Sequence, residues 1–257
     1  MKHQSPTISI ITIVYNAVDL LECTIQSVIQ QTYPNIEYIV VDGGSNDGTL
    51  QIIETFKNKI NQWVSEPDKG LYDAMNKGLK MATGDFVWFM NAGDKINRVD
   101  TVEKMMLSYT PNTDVLYGEV MMVDEKGRNL GTRSEVTTHR LPKKLTWKSM
   151  AYGMVVCHQA ILIRRNICPM YEMDNLTADI DWVIQALQHS RENTHSNLIL
   201  AQYLTGGISK KRHQQSLKDR YQVLKKHFGV IPNFFNHIII VGRAIIFRLA
   251  RIGKDHY

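Results

Sequence analysis

The stretch IEYIVVDGGSNDGT, residues 36–49, runs from a short apolar segment straight into an acid, two glycines and a helix start. Residues 36–41 have the length and composition of a buried strand. DGGSNDGT (42–49) reads as the turn that follows, opening a helix through Phe56 with Asp47 as its cap. Upstream, TISIITIV (7–14) is a continuous β-branched run, as expected of a strand covered on both faces. A helix is predicted from Asp19 as N-cap, with Leu20, Leu21, Ile25, Val28 and Ile29 at helical spacing. Downstream the pattern continues with a strand near 61–65, a helix over 71–82 and the strand FVWFM (86–90). Such alternation predicts an α/β fold: a Rossmann-like, mostly parallel sheet with right-handed crossovers and helices on both faces.

Ligands of such sheets bind at the carboxyl ends of the strands, so the loops after residues 14, 41 and 90 should line one cleft. The first begins Tyr15-Asn16. The second begins Asp42-Gly43, where a carboxylate can accept from a ribose or a uracil-type N–H and glycines let backbone approach a ligand. The same segment also reads as a plain strand-to-helix turn with no ligand. The third is Asn91-Ala92-Gly93-Asp94, an acidic turn that suits a divalent cation bridging two phosphates. Mg²⁺ and Mn²⁺ take oxygen ligands, use one or two carboxylates, and stabilise a departing diphosphate as Lewis acids. The plainer alternative is a Gly-Asp turn that ends a strand.

The series ISIITIVYNA, VVDGGSNDGT, SEPDKGLYDAMNKGLKMATGDFVWFMNAGD, HQAILI, TADIDW and GGIS covers roughly residues 7–209 in order. It resembles the inverting family 2 glycosyltransferases of the GT-A fold, and looks closest to the bacterial exopolysaccharide and colanic-acid-type subgroup. The resemblance implies a hexosyltransferase-type enzyme using a UDP- or GDP-sugar. By it, Asp42 contacts the nucleoside, with Tyr15, Asn16 and Gly43 beside it, and Asp68, Lys69 and Asn76 lie along the nucleotide pocket. Asn91, Ala92 and Gly93 line the donor site, and Asp94 ends the D-x-D-type motif that holds Mg²⁺ or Mn²⁺.

Two departures stand out. The common D-D-G-S is Asp42-Gly43-Gly44-Ser45, without its second carboxylate, and the common D-x-D-D is Asn91-Ala92-Gly93-Asp94. Asp94 is left as the principal metal candidate.

Inversion needs a base on the acceptor hydroxyl. Asp179 and Asp181 in TADIDW stand at i, i+2 near a helix start and face different directions. On their own they read as acids favouring a helix N-terminus. In the resembling family an E-D pair occupies this place; Ala178 replaces the Glu and Asp179 matches the base, leaving Asp181 a structural group. His158-Gln159 matches the subgroup's HQ, which implies a diphosphate or acceptor contact for His158. A lone His at a strand edge otherwise reads as structural. After GGIS, Lys210-Lys211-Arg212-His213 matches the segment that closes over the diphosphate in similar transferases, with Arg212 or His213 the contact. The bland reading is a solvated helix start.

The net charge of +5 is unevenly placed: from Lys210 onward there are 11 Lys/Arg against 2 Asp/Glu, and the remainder is slightly acidic. A basic tail points to a polyanionic partner. Projected at about 100° per residue, FFNHIIIVGRAIIFRLARIGK (234–254) gathers Asn236, His237, Arg243, Arg248, Arg251 and Lys254 in an arc of about 140°. Ile240 and Phe247 intrude on it. This is the profile of an in-plane helix on an anionic membrane rather than of a nucleic-acid binder; the competing reading is a terminal helix docked on its own core or on a sister subunit.

Three cysteines without C-x-x-C spacing argue against a disulfide framework or a zinc site. No uncharged apolar run of 18 residues is present and no apolar leader opens the chain, so no spanning helix is expected and a peripheral place on the inner face of the cell membrane is. The division expected is 1–95 for nucleotide-sugar binding, 96–209 for the acceptor and base, and 210–257 for the tail. The acceptor expected is a polyprenyl-diphosphate-linked glycan in surface polysaccharide biosynthesis. Two rivals are a sugar-1-phosphate nucleotidyltransferase, whose Gly-rich, Arg-containing loop is here Tyr15-Asn16-Ala17-Val18-Asp19, and an inactive glycan-binding module.

Overall fold

The computed structural model describes residues 5–206 and 213–250, His213 by its backbone alone. The chain begins β1 (Ile8–Val14), α1 (Val18–Ile29), β2 (Ile36–Asp42), α2 (Thr49–Phe56), β3 (Gln62–Ser65), α3 (Leu71–Met81) and β4 (Phe86–Phe89). It continues with β5 (Lys95–Ile96), α4 (Thr101–Met106), β6 (Val115–Val123), β7 (Asn129–Thr132), α5 (Arg133–Val136), β8 (Ile161–Arg164), α6 (Ala178–His189) and β9 (Asn193–Leu204). Two helices close the described chain, α7 (His213–Phe228) and α8 (Val230–Leu249).

One sheet runs in the order β3-β2-β1-β4-β8-β6-β9-β5, with β7 paired to β6. Its first four strands are parallel, as the alternation predicts. Beyond β4 it is mixed, because β8 enters antiparallel to both β4 and β6 while β9 runs parallel to β6. Register places Val14 opposite Asp42 and Asp42 opposite Ser65, so these strands end level with one another. Leu204, the last residue of β9, comes to the same edge beside Asp94.

Both faces of the sheet are covered. Ile11, Ile13, Ile39 and Val41 pack against α3, α6 and α7, while Ile8, Ile10, Tyr38 and Val40 pack against α1, α2 and α4. All seven residues of β1 are buried; each fully buried Ile adds roughly 1.5–3 kcal/mol. The edge away from the site is closed by Glu37. Its carboxylate accepts from Ser9 Oγ (2.5 Å), the Thr83 N–H (2.8 Å) and Gln62 Nε2 (3.1 Å), which makes an acid tolerable inside a strand.

The start of α1 differs from expectation. Asp19 lies in its first turn, and the Val18 N–H is capped instead by Asp47 Oδ2 at 3.1 Å, from the following loop. A tertiary cap of this kind leaves no local sequence signal. Helix α8 is long and apolar enough to cross a membrane by length and composition alone, but it carries Arg243 and Arg248, so no uncharged apolar run of 18 residues lies within it.

Candidate active site

The loops after β1, β2 and β4 are sewn together by their own polar groups. The Asn16 N–H donates to Ser45 Oγ (2.8 Å), and Asn16 Oδ1 accepts from the Asn46 N–H (3.0 Å). Asn16 has φ 45°, a left-handed conformation that asparagine adopts more readily than most residues. The Ala92 N–H reaches the Ile13 carbonyl at 3.1 Å, bringing the third loop alongside.

Asp42 is fully enclosed. Its carboxylate accepts from the Ser45 N–H (3.1 Å), the Ser45 hydroxyl and Ser65 Oγ (2.6 Å). Here it organises the turn between β2 and α2, and the group facing outward is Asp68. Asp68 Oδ1 accepts from the Gly70 N–H at 2.8 Å, while Oδ2 lies over Gly43 where a Cβ on that residue would collide with it. The Tyr15 ring flanks the same spot, 3.3 Å from that Cβ position. Gly43 thus leaves room for an acid from the β3–α3 loop, at the place where the resembling motif carries its second acid. Lys69 is exposed, its backbone N–H on Asp73 Oδ2 (3.0 Å).

Asn76 has a structural task. Its Nδ2 donates to the Tyr171 carbonyl (2.9 Å) and its Oδ1 accepts the Tyr171 N–H (2.7 Å), so both ends of the amide are used.

The turn Asn91–Asp94 is held by Thr24 of α1, which accepts the Gly93 N–H (3.0 Å) and donates to the Asp94 carbonyl (2.7 Å). Asp94 is buried, and burial lifts its pKa to about 7. Hydrogen bonds from the Leu204 N–H to Oδ1 (3.0 Å) and Gln159 Nε2 to Oδ2 (2.9 Å) oppose that shift. Both oxygens therefore carry a donor. Asn91 Oδ1, by contrast, is buried without a partner, and an orphaned oxygen of this kind fits a ligand or cation. Among the described residues no three His, Cys, Asp or Glu side chains converge on one point. The donor set present is one free amide oxygen and one engaged carboxylate, which fits a cation carried in on a diphosphate.

Asp179 opens α6 with an uneven carboxylate. Oδ1 accepts from the Ile180 N–H (2.9 Å) and from Tyr72 Oη (3.4 Å). Among the described residues no hydrogen bond reaches Oδ2. Burial raises its pKa to about 6, against the pull of those bonds and of the Arg133 charge. Asp181 faces the other way, as the i, i+2 spacing requires. It is buried and paired with His227 Nε2 (2.5 Å) and Lys226 Nζ (3.2 Å) of α7.

His158 is built into an aromatic box. Nε2 meets Tyr171 Oη at 2.6 Å, and the ring stacks on Phe89 at 5.2 Å and lies 5.4 Å from Trp182. Burial lowers its pKa to about 4, so it is neutral. This geometry supports the structural reading of His158 over a diphosphate contact; its neighbour Gln159 is the one that reaches the site, through Asp94. Arg133, an electrostatic neighbour of Asp179, Cys157 and Tyr203, had no signal in the sequence beyond lying in a Lys/Arg-dotted loop. Arg212 lies outside the described residues, as does the His213 side chain.

The glycosyl transferase family 2 model matches residues 9–168. An uncharacterized glycosyltransferase of Mycobacterium tuberculosis is 29% identical over 219 residues, 83% of this chain and 80% of that protein. A PGL/p-HBAD biosynthesis glycosyltransferase of Mycobacterium bovis is 30% identical over 216 residues, 80% of each. A putative teichuronic acid biosynthesis glycosyltransferase of Bacillus subtilis, TuaG, is 29% identical over 182 residues, 68% of this chain and 69% of that one. Among solved structures, S. aureus TarS with UDP-GlcNAc shares the fold at TM-score 0.69 and 18% identity, over 98% of this chain and 76% of that one. The chain spans 64% of TarS 1-349 in its UDP complex and 38% of TarS. A Pyrobaculum calidifontis mannosyltransferase, PcManGT, solved with GDP-Man and Mn²⁺, matches at TM-score 0.66 and 16% identity, over 99% of this chain and 77% of that one. With the family model matched over residues 9–168, this chain belongs to glycosyl transferase family 2.

Proposed function

We propose that the chain transfers a sugar, with inversion, from a UDP- or GDP-sugar to a hydroxyl of a lipid-linked glycan in surface polysaccharide biosynthesis. The observation that carries this reading is the half-used carboxylate of Asp179. One oxygen is fixed by Ile180 and Tyr72, and the other is left to accept a proton. A pKa of about 6 makes it ionised at neutral pH yet basic enough to assist a hydroxyl. TarS and PcManGT, with UDP-GlcNAc and GDP-Man in their structures, support a nucleoside diphosphate donor.

On this reading the acceptor hydroxyl gives its proton to Asp179 Oδ2 as its oxygen attacks the anomeric carbon from the face opposite the diphosphate. Tyr15, Gly43 and Asp68 receive the nucleoside side of the donor. Asn91 Oδ1 and Asp94 would hold Mg²⁺ or Mn²⁺, which when bound offsets the charge that develops on the leaving diphosphate. Gln159 keeps Asp94 oriented. In keeping with the in-plane membrane helix expected from sequence, α8 is assigned to a membrane through its apolar side, with the body peripheral on the cytoplasmic face.

Nucleotide release from UDP- and GDP-sugars, with and without a polyprenyl-diphosphate-linked glycan, tests the proposal. Acceptor-dependent release of one nucleotide is the expected result. Melting temperature that rises with neither UDP nor GDP, together with no release, would overturn it.

A further inference from the structure

Tyr152, Gly153 and Met154 are consecutive, and each meets a basic side chain from a different part of the chain. The Arg243 guanidinium of α8 lies 4.8 Å from the Tyr152 ring centre. His139, in the loop after α5, has Cε1 3.5 Å from where a Cβ on Gly153 would stand. Arg133 of α5 donates from Nη2 to the Met154 carbonyl at 2.5 Å. Arg220 of α7 belongs to the same group: with Arg133 and Arg243 it acts on His139, whose pKa burial and these three charges lower to about 3. His139 is therefore neutral, and the positive charge is carried by the arginines.

Arg220 has a second mark of an unfinished site. Its Nε is buried with no hydrogen-bond partner, and burial disfavours its charge. Among the described residues none of the three guanidiniums forms an ion pair with a carboxylate. Arg133 and Arg220 are partly buried while Arg243 is exposed, and partly buried cations without a paired carboxylate are costly to keep together. Arginine forks match phosphate oxygens in geometry as well as charge.

Position narrows the choice of anion. Arg133 touches Asp179 electrostatically on one side of the cluster, and Arg243 belongs to the apolar helix α8 on the other. The nucleoside loops around Tyr15, Gly43 and Asp68 lie with β1, β2 and β3, while Asp94 of the diphosphate site shares Cys157 and Tyr203 with Arg133 as electrostatic neighbours, so the donor is the competing occupant. We infer that Arg133, Arg220 and Arg243 bind a phosphate or diphosphate on the acceptor, between the base and the membrane-facing helix. The inference rests on the sugar-transfer reading above. It names the acceptor class as one whose reacting sugar is close to a phosphate that is itself joined to an apolar chain.

The test is calorimetric titration of the full chain with farnesyl diphosphate, farnesol, UDP and GDP, in the wild type, Arg220→Gln and Arg243→Gln. Farnesyl diphosphate should bind the wild type and lose about tenfold or more in each variant, as expected for a charge-assisted bidentate contact. UDP and GDP affinities should stay within about twofold, and farnesol should be indifferent to the substitutions. Unchanged farnesyl diphosphate affinity in both variants overturns the inference. A parallel loss for UDP and GDP assigns the cluster to the donor and overturns the acceptor placement. Should Arg220→Gln fail to fold, Arg243→Gln decides alone, since its side chain lies on the surface. A wild type that binds farnesyl diphosphate but neither UDP nor GDP would refute sugar transfer while leaving the phosphate site standing.

Discussion

Two oxygens of one carboxylate have different neighbours in Asp179, and that asymmetry sets the first expectation. Asp179→Asn keeps the shape and can still accept the Ile180 N–H, but it cannot take a proton. Turnover should fall about 10²-fold or more while nucleotide-sugar affinity changes little, read from kcat and a separate binding titration. The ionised form is the active one and its pKa is raised to about 6. The wild-type kcat/KM should therefore drop as pH falls through about 6 and be flat above it. Removing the opposing charge in Arg133→Met should move that limb to higher pH. A second expectation concerns Gly43, whose missing side chain leaves room for the Asp68 carboxylate. Gly43→Ala should displace a flexible acid rather than backbone. The melting point should barely move, while UDP or GDP affinity falls about as much as in Asp68→Asn. Retained affinity in both would remove Asp68 from the donor site. At this scale the sequence announced which residue types meet but not which way they turn. Asp42, Asn76 and His158 all lie near the site. Their polar atoms, however, are engaged by Ser45 and Ser65, by the Tyr171 backbone and by the Tyr171 hydroxyl. Ser45 lies in the same turn as Asp42, but Ser65 and Tyr171 come from elsewhere in the fold, up to 95 residues away, and no local pattern records them.

Helix α6 carries base and brace two residues apart. Asp181 is held at 3% side-chain exposure against His227 and Lys226, which pins α7 across the back of the site. Asp181→Ala leaves buried His227 without its carboxylate and Lys226 with only Glu172, 3.7 Å away, and should cost roughly 3 kcal/mol, measured by urea unfolding near neutral pH. Burial pushes the Asp181 pKa up, but His227 and Lys226 outweigh it and the net shift is below the ordinary 3.8. A depressed folded-state pKa stabilises above the unfolded value and is lost as pH falls through it. The gap between variant and wild type should thus close below about pH 3.8 rather than on the alkaline side. Elements were the most legible level. β1, β2, α3 and α6 follow from apolar runs and helical spacing to within a residue or two, because each buries a face that the pattern marks. The antiparallel entry of β8 was not legible. Nothing in HQAILIRR says which strand it will join, and its place between β4 and β6 depends on the whole connection from residue 90 onward.

At the scale of the molecule, one surface is unlike the rest. Helix α8 turns its polar residues inward: Asn233 Nδ2 reaches the Tyr221 carbonyl (3.2 Å), the His237 ring lies 4.9 Å from Tyr221, and Arg243 covers Tyr152. Ile240, the apolar intruder on that polar arc, packs on the core. The outward side exposes Phe234, Phe235, Ile238, Ile245, Ile246 and Leu249. The periodicity was therefore readable from sequence, but its direction was not, since His237 and Arg243 meet the body where lipid headgroups had been expected. A helix that could cross a membrane by length alone is instead tied along its polar stripe to α7 and to Tyr152, which favours lying in the plane of the bilayer with its apolar side down. The consequence is a split between folding and membrane binding. Replacing Phe234, Phe235, Ile238 and Ile245 with Ser removes outward apolar area and leaves Asn233, His237, Ile240 and Arg243 in place. This variant should melt close to the wild type and bind UDP or GDP equally well, yet sediment far less with vesicles of anionic phospholipid. Raising salt should weaken the wild type only in part, because screening reaches the basic residues and not the buried apolar side. If the variant still sediments with vesicles as the wild type does, the apolar face is not what holds the membrane. If it becomes monomeric from a wild-type dimer with no change in sedimentation, a second copy of the chain covers that face instead.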